Sequence, residues 1–475
     1  MITHTNPSNI HSQLGNDFFE KAIPATFPKH ILRFRNDRVA KSLNFEKIND
    51  EKWINYFGKF NRFPGVEHYP LALKYHGHQF GHYNSELGDG RGFLLSQFLD
   101  KNNKLWDLGT KGSGQTSFSR GGDGRLTLKG AVREVLATEF LSSLGVLTSQ
   151  TLSIIETGEN LIRNDEPSPT RSAVLVRRSH SHIRIGTFQR LAHLNANESI
   201  EKLIIHINQN YFQSINNNAS INIIVENFFL EVVKRIATMI GRITVSGFVH
   251  GVLNTDNFNV TGECFDYGPW RFLEFAEPNF TAAYFDYNQR YSFGKQPEAA
   301  LWALTQLGHS LKLFIQEDKR IEILNQFSKF FNNSLSSHFS WRLGIKGMEI
   351  INVNKIMHKL LNISQKYKID FALFFYNFYG GSDAILEATG GIQGEKYKID
   401  EFKEIINLLK ETESLNSSQE KRIYFKDNYE NLLINEVEFI WNRIDKYNDW
   451  TFLNNKIARI RKIGDLLGAK KLIDF

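Results

Sequence analysis

The stretch His250-Gly251-Val252-Leu253-Asn254-Thr255-Asp256-Asn257, followed by Phe265-Asp266-Tyr267-Gly268-Pro269, decides how the rest of this 475-residue chain is read. A histidine and an asparagine stand seven residues apart, and an aspartate in a short turn follows nearby. Asparagine and aspartate are oxygen donors of the kind that hold a divalent cation against nucleotide phosphates. The position two residues after the histidine carries Val252, and the nearest acid is Asp256, immediately before the asparagine. Upstream, Ile221 to Gly241 has apolar residues at helical spacing and runs directly into Gly247-Phe248-Val249-His250, so a long helix is expected to deliver the chain to this stretch.

Protein kinases carry H-x-D-x-x-x-x-N followed by D-F-G, in which the first aspartate orients the acceptor hydroxyl while the asparagine and the second aspartate hold the metal. This chain is similar in the metal-holding half of that pattern, with Asp266-Tyr267-Gly268 in the place of D-F-G. The usual base is displaced from position 252 to Asp256. Phosphate chemistry on a nucleotide is expected, but not ordinary phosphate transfer.

Working outward toward the N-terminus, Leu87-Gly88-Asp89-Gly90-Arg91-Gly92 is a glycine-rich turn that opens onto a short apolar run, 93–99, and a second strand-like run, 105–111. Such a turn lets backbone N–H groups approach a phosphate where a side chain would clash, although Gly-x-Gly alone more often marks a plain turn. Lys111 ends the next strand about twenty residues on, where kinases place their phosphate-contacting lysine. A second glycine-rich run, 111–125, is too polar for a core segment and reads as a ligand-facing loop. Residues 126–145 are expected to form a helix with Gly145 as its C-terminal stop, and Glu134 on it is either the partner of Lys111 or a solvated helix glutamate. Arg177 and Arg184, flanked by strand-like segments, either close on phosphates as guanidinium forks or form a surface basic patch. The histidines of Tyr75-His76-Gly77-His78-Gln79-Phe80-Gly81-His82 lack nearby carboxylate or cysteine ligands and are read as turn residues rather than a metal site.

The bulk properties restrict the class. A 41% hydrophobic and 13% aromatic composition fills a sizeable core, and a net charge of +6 would suit a small polyanionic ligand such as a nucleotide as well as a nucleic acid, or simply a weakly basic soluble enzyme. One cysteine, Cys264, excludes an intramolecular disulfide and a cysteine-based zinc cluster, and fits a reducing compartment. No stretch approaches the roughly 18 apolar residues of a membrane helix, and the first residues do not read as a targeting signal. A cytoplasmic protein with neither nucleic-acid nor membrane partners is expected.

Taken in order, G-H-Q-F-G (77–81), L-G-D-G-R-G (87–92), K-G-S-G-Q-T (111–116), S-R-G-G-D-G-R (119–125), Arg133-Glu134, S-H-I-R-x-G (181–186), G-F-V-H-G-V-L-N-T-D-N (247–257) and D-Y-G-P (266–269) resemble the SelO family, the selenoprotein O or YdiU-like pseudokinases that act as protein adenylyltransferases. The resemblance runs from about residue 70 to about residue 305. It implies a kinase-like fold that binds ATP flipped, with AMP transferred to Ser, Thr or Tyr hydroxyls of proteins, itself included, and pyrophosphate released. It further implies nucleotide contacts from Gly88, Gly90, Arg91, Lys111, Asp123, Gly124, Arg177, Arg184 and Asp266, with Asp256 as proton acceptor. Asn257 and Asp266 would hold Mg²⁺ or Mn²⁺, and Glu134 would anchor Lys111. Use of UTP is a further possibility of the same site. Many members end in a cysteine- or selenocysteine-bearing tail, whereas this chain ends Lys470-Lys471-Leu472-Ile473-Asp474-Phe475.

The expected fold is α+β, two-lobed and protein-kinase-like, with a mostly helical C-terminal lobe and a helical extension. Residues 1–70 are expected to be a loop-rich wrapping segment with a short helix near 47–58, and 71–190 a glycine-loop-bearing N-lobe. Residues 191–410 would be a helical C-lobe and 411–475 a helical extension, with 411–421 as linker. Two rival functions remain open: a kinase-like phosphotransferase, which would move the γ-phosphate, and a nucleotide-binding scaffold without catalysis. Val252 and the two arginines argue against the first. The joint presence of Lys111, Glu134, Asp256, Asn257 and Asp266 argues against the second.

Overall fold

The computed structural model describes residues 5–212, 215 and 219–473. Met1 to His4 of the segment scanned for a targeting signal, and Asp474 and Phe475 of the cysteine-free end, lie outside the described residues.

The first part of the chain builds an antiparallel sheet. Its strands are β1 (Asn6–Ser8), β2 (Phe19–Lys21), β3 (Ile31–Arg35), β4 (Leu71–Leu73), β7 (Leu94–Leu99), β8 (Leu105–Lys111), β9 (Leu126–Thr127), β10 (Gln150–Leu161) and β11 (Thr170–Ser179). The order is β2-β4-β7-β8-β11-β10-β3, with β1 on β7 and β9 on β11. A separate small hairpin, β5 (Gly77–Gln79) with β6 (His82–Asn84), stands off the sheet.

Residues 1–70 differ from the loop-rich segment expected. They supply three strands of the sheet, and β2 pairs with β4 across residue 70. These strands are only three to five residues long, too short to show an alternating pattern in sequence. The expected helix near 47–58 is present as α2 (Asp50–Phe57), after α1 (Asp37–Ser42).

Both faces of the sheet are covered, which is why its central strands read as continuous apolar runs. Successive side chains of a strand point to opposite faces. Leu94, Ile154 and Leu175 accordingly enter the largest core, whereas Leu95, Leu152, Val174 and Val176 enter a second, aromatic core with Trp53, Phe57, Phe63 and Phe98. Helix α3 (Leu128–Ser143) packs Val132, Val135, Leu136 and Phe140 into the first core, and its N-cap Thr127 side chain accepts the Gly130 N–H. Gly145, past its end, has φ +72°, the left-handed geometry that ends a helix and that glycine adopts without strain.

The rest of the chain is helical. It begins with α4 (Ile185–His193), α5 (Asn197–Asn210), α6 (Ile221–Val245) and α7 (Gln296–Ser310), the last with Pro297 in its first turn. Further helices follow to Thr451–Leu467, which returns to pack on α3. Residues 411–421 are not a free linker. The Lys346 N–H donates to the Glu413 carbonyl, Ile345 bridges Ser414, and Ser418 is buried at the start of a helix reaching Asp427. Small polar residues in sequence cannot distinguish a linker from a loop whose backbone is paired elsewhere.

Candidate active site

Four pieces of backbone converge at one place. Lys111 ends β8, Glu134 lies on α3, Arg177 lies on β11, and Arg184 precedes α4. The turn after α6 brings Asp256 and Asn257 within a short helical turn, Thr255–Asn257, and Asp266 follows with φ +60°. A non-glycine residue in that left-handed region is strained, and it is held there only because its surroundings over-determine it.

Those surroundings are charges. Arg177 donates to Asp266 Oδ1 at 2.6 Å, and Arg184 donates to Asp266 Oδ2 at 2.5 Å. Lys111 Nζ meets Glu134 Oε2 at 2.7 Å and lies 3.9 Å from Asp266. Arg177 is also 3.5 Å from Glu134. Glu134 is 1% exposed, so it is no solvated helix glutamate, and Arg177 and Arg184 at 4% and 3% are no surface patch. Burial works to raise the Asp266 carboxyl, but Arg177, Arg184 and Lys111 outweigh it and hold the group well below its usual range. Burial lowers Lys111 despite the pull of Glu134.

Arg184 is the hub. Its guanidinium lies 4.5 Å from the centre of the Tyr75 ring and 4.8 Å from that of Phe265, donates to the Asp256 carbonyl at 2.9 Å, and reaches Asp89 at 3.4 Å. Aromatic faces on a guanidinium fix its plane and leave its edges for hydrogen bonds. Tyr75 and Asp89 were not anticipated. Asp89 sits between the two glycines of the first turn, a visible signal, whereas Tyr75 carried none beyond its neighbouring histidines.

Asp256 is 8% exposed, and its Oδ1 is buried with no hydrogen-bond partner. Burial pushes its carboxyl up to about 6, against the opposing pull of Arg184 and of Arg120 from the second glycine loop. A buried acceptor without a partner is costly in a fold unless something else uses it.

The glycine loops pack on each other. A Cβ on Gly88 would stand 2.3 Å from the Phe118 ring, and one on Gly90 would stand 2.6 Å from the Phe118 carbonyl oxygen. Thr116 Oγ1 donates to the Asp89 carbonyl at 2.6 Å, and Ser119 Oγ donates to that of Gly90 at 2.5 Å. Gly124, at φ +68°, closes the second loop against Gly114. These glycines are thus required by loop-on-loop contact, a reason the sequence did not disclose. Arg91 is exposed and carries its charge toward Lys111. Asp123 is turned outward, its carboxylate paired with Arg163 at 2.8 Å and with the Arg125 N–H at 2.9 Å.

For a metal, the donors present are Asn257 and Asp266. Asn257 Nδ2 donates to the Val252 carbonyl at 2.9 Å, which leaves its amide oxygen as the atom available to a cation. Each Asp266 oxygen keeps a further lone pair beside its arginine. Among the described residues no group of three or more His, Cys, Asp or Glu is placed to hold a metal ion, and the histidines of 75–82 make none. One carboxylate and one amide fit Mg²⁺ or Mn²⁺ carried in on phosphate oxygens rather than caged by protein alone.

The family model for protein adenylyltransferase SelO matches residues 2–461. Among curated proteins, the chain is similar to protein nucleotidyltransferase YdiU of Synechocystis sp., 49% identical over 334 residues that cover 70% of this chain and 69% of the relative. The YdiU of Trichodesmium erythraeum is 41% identical over 454 residues, 92% and 94% of the two chains. That of Gloeobacter violaceus is 39% identical over 481 residues, 97% of each.

Proposed function

The chain belongs to the SelO family and is a protein nucleotidyltransferase, and from that premise we propose that it transfers AMP from ATP to Ser, Thr or Tyr hydroxyls of proteins. The sheet-bearing and helical parts act in this reading as the two lobes of a kinase-like fold, in the cytoplasm, with ATP in the cleft between them.

The observation that carries the proposal is the pairing of two groups. Asp256 presents a buried, unpartnered Oδ1 with its carboxyl raised to about 6. Beside it, Arg184 is tied to both the Asp256 carbonyl and Asp266. The acceptor hydroxyl loses its proton to Asp256 as its oxygen bonds to the α-phosphorus, and the bond from that phosphorus to the bridging oxygen breaks to release pyrophosphate. A base with a carboxyl near 6 is ionised at neutral pH and still basic enough to take a proton in the transition state. Lys111, Arg177 and Arg184 stand by to meet charge on the phosphates, and Glu134 holds Lys111 in place. Asn257 and Asp266 would hold Mg²⁺ or Mn²⁺, which would neutralise phosphate charge and orient the nucleotide. Gly88, Gly90, Arg91, Asp123 and Gly124 shape the two loops over the nucleotide. UTP could enter the same site and give UMP transfer.

The test is incubation with ATP labelled at the α- or the γ-phosphate, with either metal, followed by intact mass. Label from the α-position only, with a gain of one AMP that is lost in Asp256→Ala, supports adenylyl transfer. Label from the γ-position supports phosphotransfer instead, and tight ATP binding without turnover supports a scaffold.

A further inference from the structure

The geometry points to Gln189 as a positioning residue that sets Asp256 through a closed ring of hydrogen bonds with Thr255 and His78. This inference rests on the adenylyl-transfer reading above.

The ring joins three separate elements. The His78 backbone N–H, in the β5–β6 hairpin, donates to Thr255 Oγ1 at 2.7 Å. The Thr255 hydroxyl therefore keeps its own proton for Gln189 Oε1, 2.6 Å away. With its oxygen accepting, the Gln189 amide must donate through Nε2, and it meets His78 Nδ1 at 2.7 Å. Every donor in the ring has one acceptor. Reversing the amide would require His78 to carry its proton on Nδ1 and would take the Thr255 proton out of the ring.

The ring bears directly on the candidate base. Thr255, fully buried, immediately precedes Asp256, and Gln189 is 5% exposed on α4. A Cβ on Gly77 would stand 3.0 Å from Asp256 Oδ1 and 3.1 Å from its Cβ, so the hairpin backbone lies against the carboxylate. A second anchor holds the other side of the turn: the Phe80 N–H and the Tyr291 hydroxyl both donate to Asn254 Oδ1, at 3.1 and 2.8 Å. At the foot of the hairpin a Cβ on Gly186 would stand 2.1 Å from the His76 carbonyl oxygen, so α4 and the hairpin touch backbone to backbone. Residues 254–256 are thereby clamped between the hairpin, α4 and Tyr291, while Arg184 draws the Asp256 carbonyl toward the phosphate-facing cations. None of the ring atoms faces a phosphate-binding cation, so the ring acts on the placement of the base and not on nucleotide affinity. The groups around His78 itself are Gln189, Tyr83, Trp302 and the Arg290 charge.

The experiment compares wild type, Gln189→Leu, Gln189→Glu and His78→Ala in the full chain, reading α-label transfer to protein, the ATP Kd and thermal stability. Gln189→Leu opens the ring at two bonds. It should lower kcat on the order of 10²-fold, the cost of a base displaced by about an ångström, while the ATP Kd stays within about twofold. Gln189→Glu accepts from Thr255 and from a His78 that carries its proton on Nδ1, so it should recover most of the lost kcat. His78→Ala, at a half-buried position, cuts the ring without opening the core and should lower kcat in the same direction with a smaller effect. Unchanged kcat in both Gln189→Leu and His78→Ala overturns the inference. A Kd that weakens in step with kcat also overturns it, because it would make the ring a general support of the fold. Absence of α-label transfer in the wild type would instead overturn the adenylyl-transfer reading, whatever the variants do.

Discussion

At the scale of single residues, Asp256 concentrates the consequences. Asp256→Asn keeps the shape and removes the proposed proton acceptor, and its α-label transfer should fall on the order of 10²–10⁴-fold while ATP still binds. Transfer by the wild type should rise with pH through about 6, as the carboxyl ionises, and this acidic limb should vanish in whatever activity Asp256→Asn retains. Stability should show the opposite sign. A carboxyl raised from 3.8 to about 6 in the fold favours the protonated folded state, so its contribution is largest below about 4 and is lost as pH rises through 6. Asp256→Asn should therefore raise Tm at pH 8 and raise it clearly less at pH 4.5, where the loss has only begun, as calorimetry in EDTA would show. Chelation should also abolish labelling in the wild type. Asn257→Ala should raise the metal concentration needed for half-maximal transfer, because one of the two protein donors proposed for the cation is gone.

At the scale of elements, the two glycine loops form one unit. Gly88→Ala has no backbone strain to overcome, yet its Cβ would enter the Phe118 ring at 2.3 Å. Overpacking of this kind costs about 1–3 kcal/mol, and the displaced loop should also weaken ATP binding. The double variant Gly88→Ala with Phe118→Ala removes the clash, so urea unfolding and ATP titration should both move back toward the wild type. Failure of the second substitution to rescue either property would show that Gly88 faces something other than Phe118. The β5–β6 hairpin is a comparable unit, with two strands of three residues that carry no core and spend their contacts on Asn254, Thr255 and Asp256.

At the scale of the whole molecule, the late helix Thr451–Leu467 closes the structure back on its beginning. Arg461 forks onto Glu139 of α3 at 2.6 and 2.7 Å and reaches Asn36 at 3.0 Å, while Gly464 lets the helix lie against Ser143. Lys129 of α3 pairs with Glu438 at 2.8 Å. The helix bearing Glu134 is thus held between the sheet and the end of the chain. Arg461→Ala takes three hydrogen bonds from a mostly buried carboxylate and an amide oxygen, leaving them only the Asn36 amide and the Val39 N–H as donors, a loss of about 2 kcal/mol by equilibrium denaturation. Transfer activity measured well below the new Tm should change little, because Lys111 and Glu134 remain paired.

The charged side chains that the structure brings together around Asp266 were each legible in the sequence. Lys111, Glu134, Arg177, Arg184, Asp256, Asn257 and Asp266 lie in motifs whose spacing is set by local turns and strand or helix ends, and local geometry is what a linear pattern records. Helices α3 and α6 were legible for the same reason, since apolar spacing and a stop residue such as Gly145 are local. The partners of those side chains are set in three dimensions. Arg177 and Arg184 close on Asp266, 89 and 82 residues away, and Gln189 reaches Thr255 across 66. Whether residues 1–70 join the sheet, or 411–421 dock, also depends on which backbone groups find a partner far along the chain. Long-range pairing of short strands and buried charges leaves no periodic trace, because it is selected by complementarity in space and not by the order of neighbouring residues.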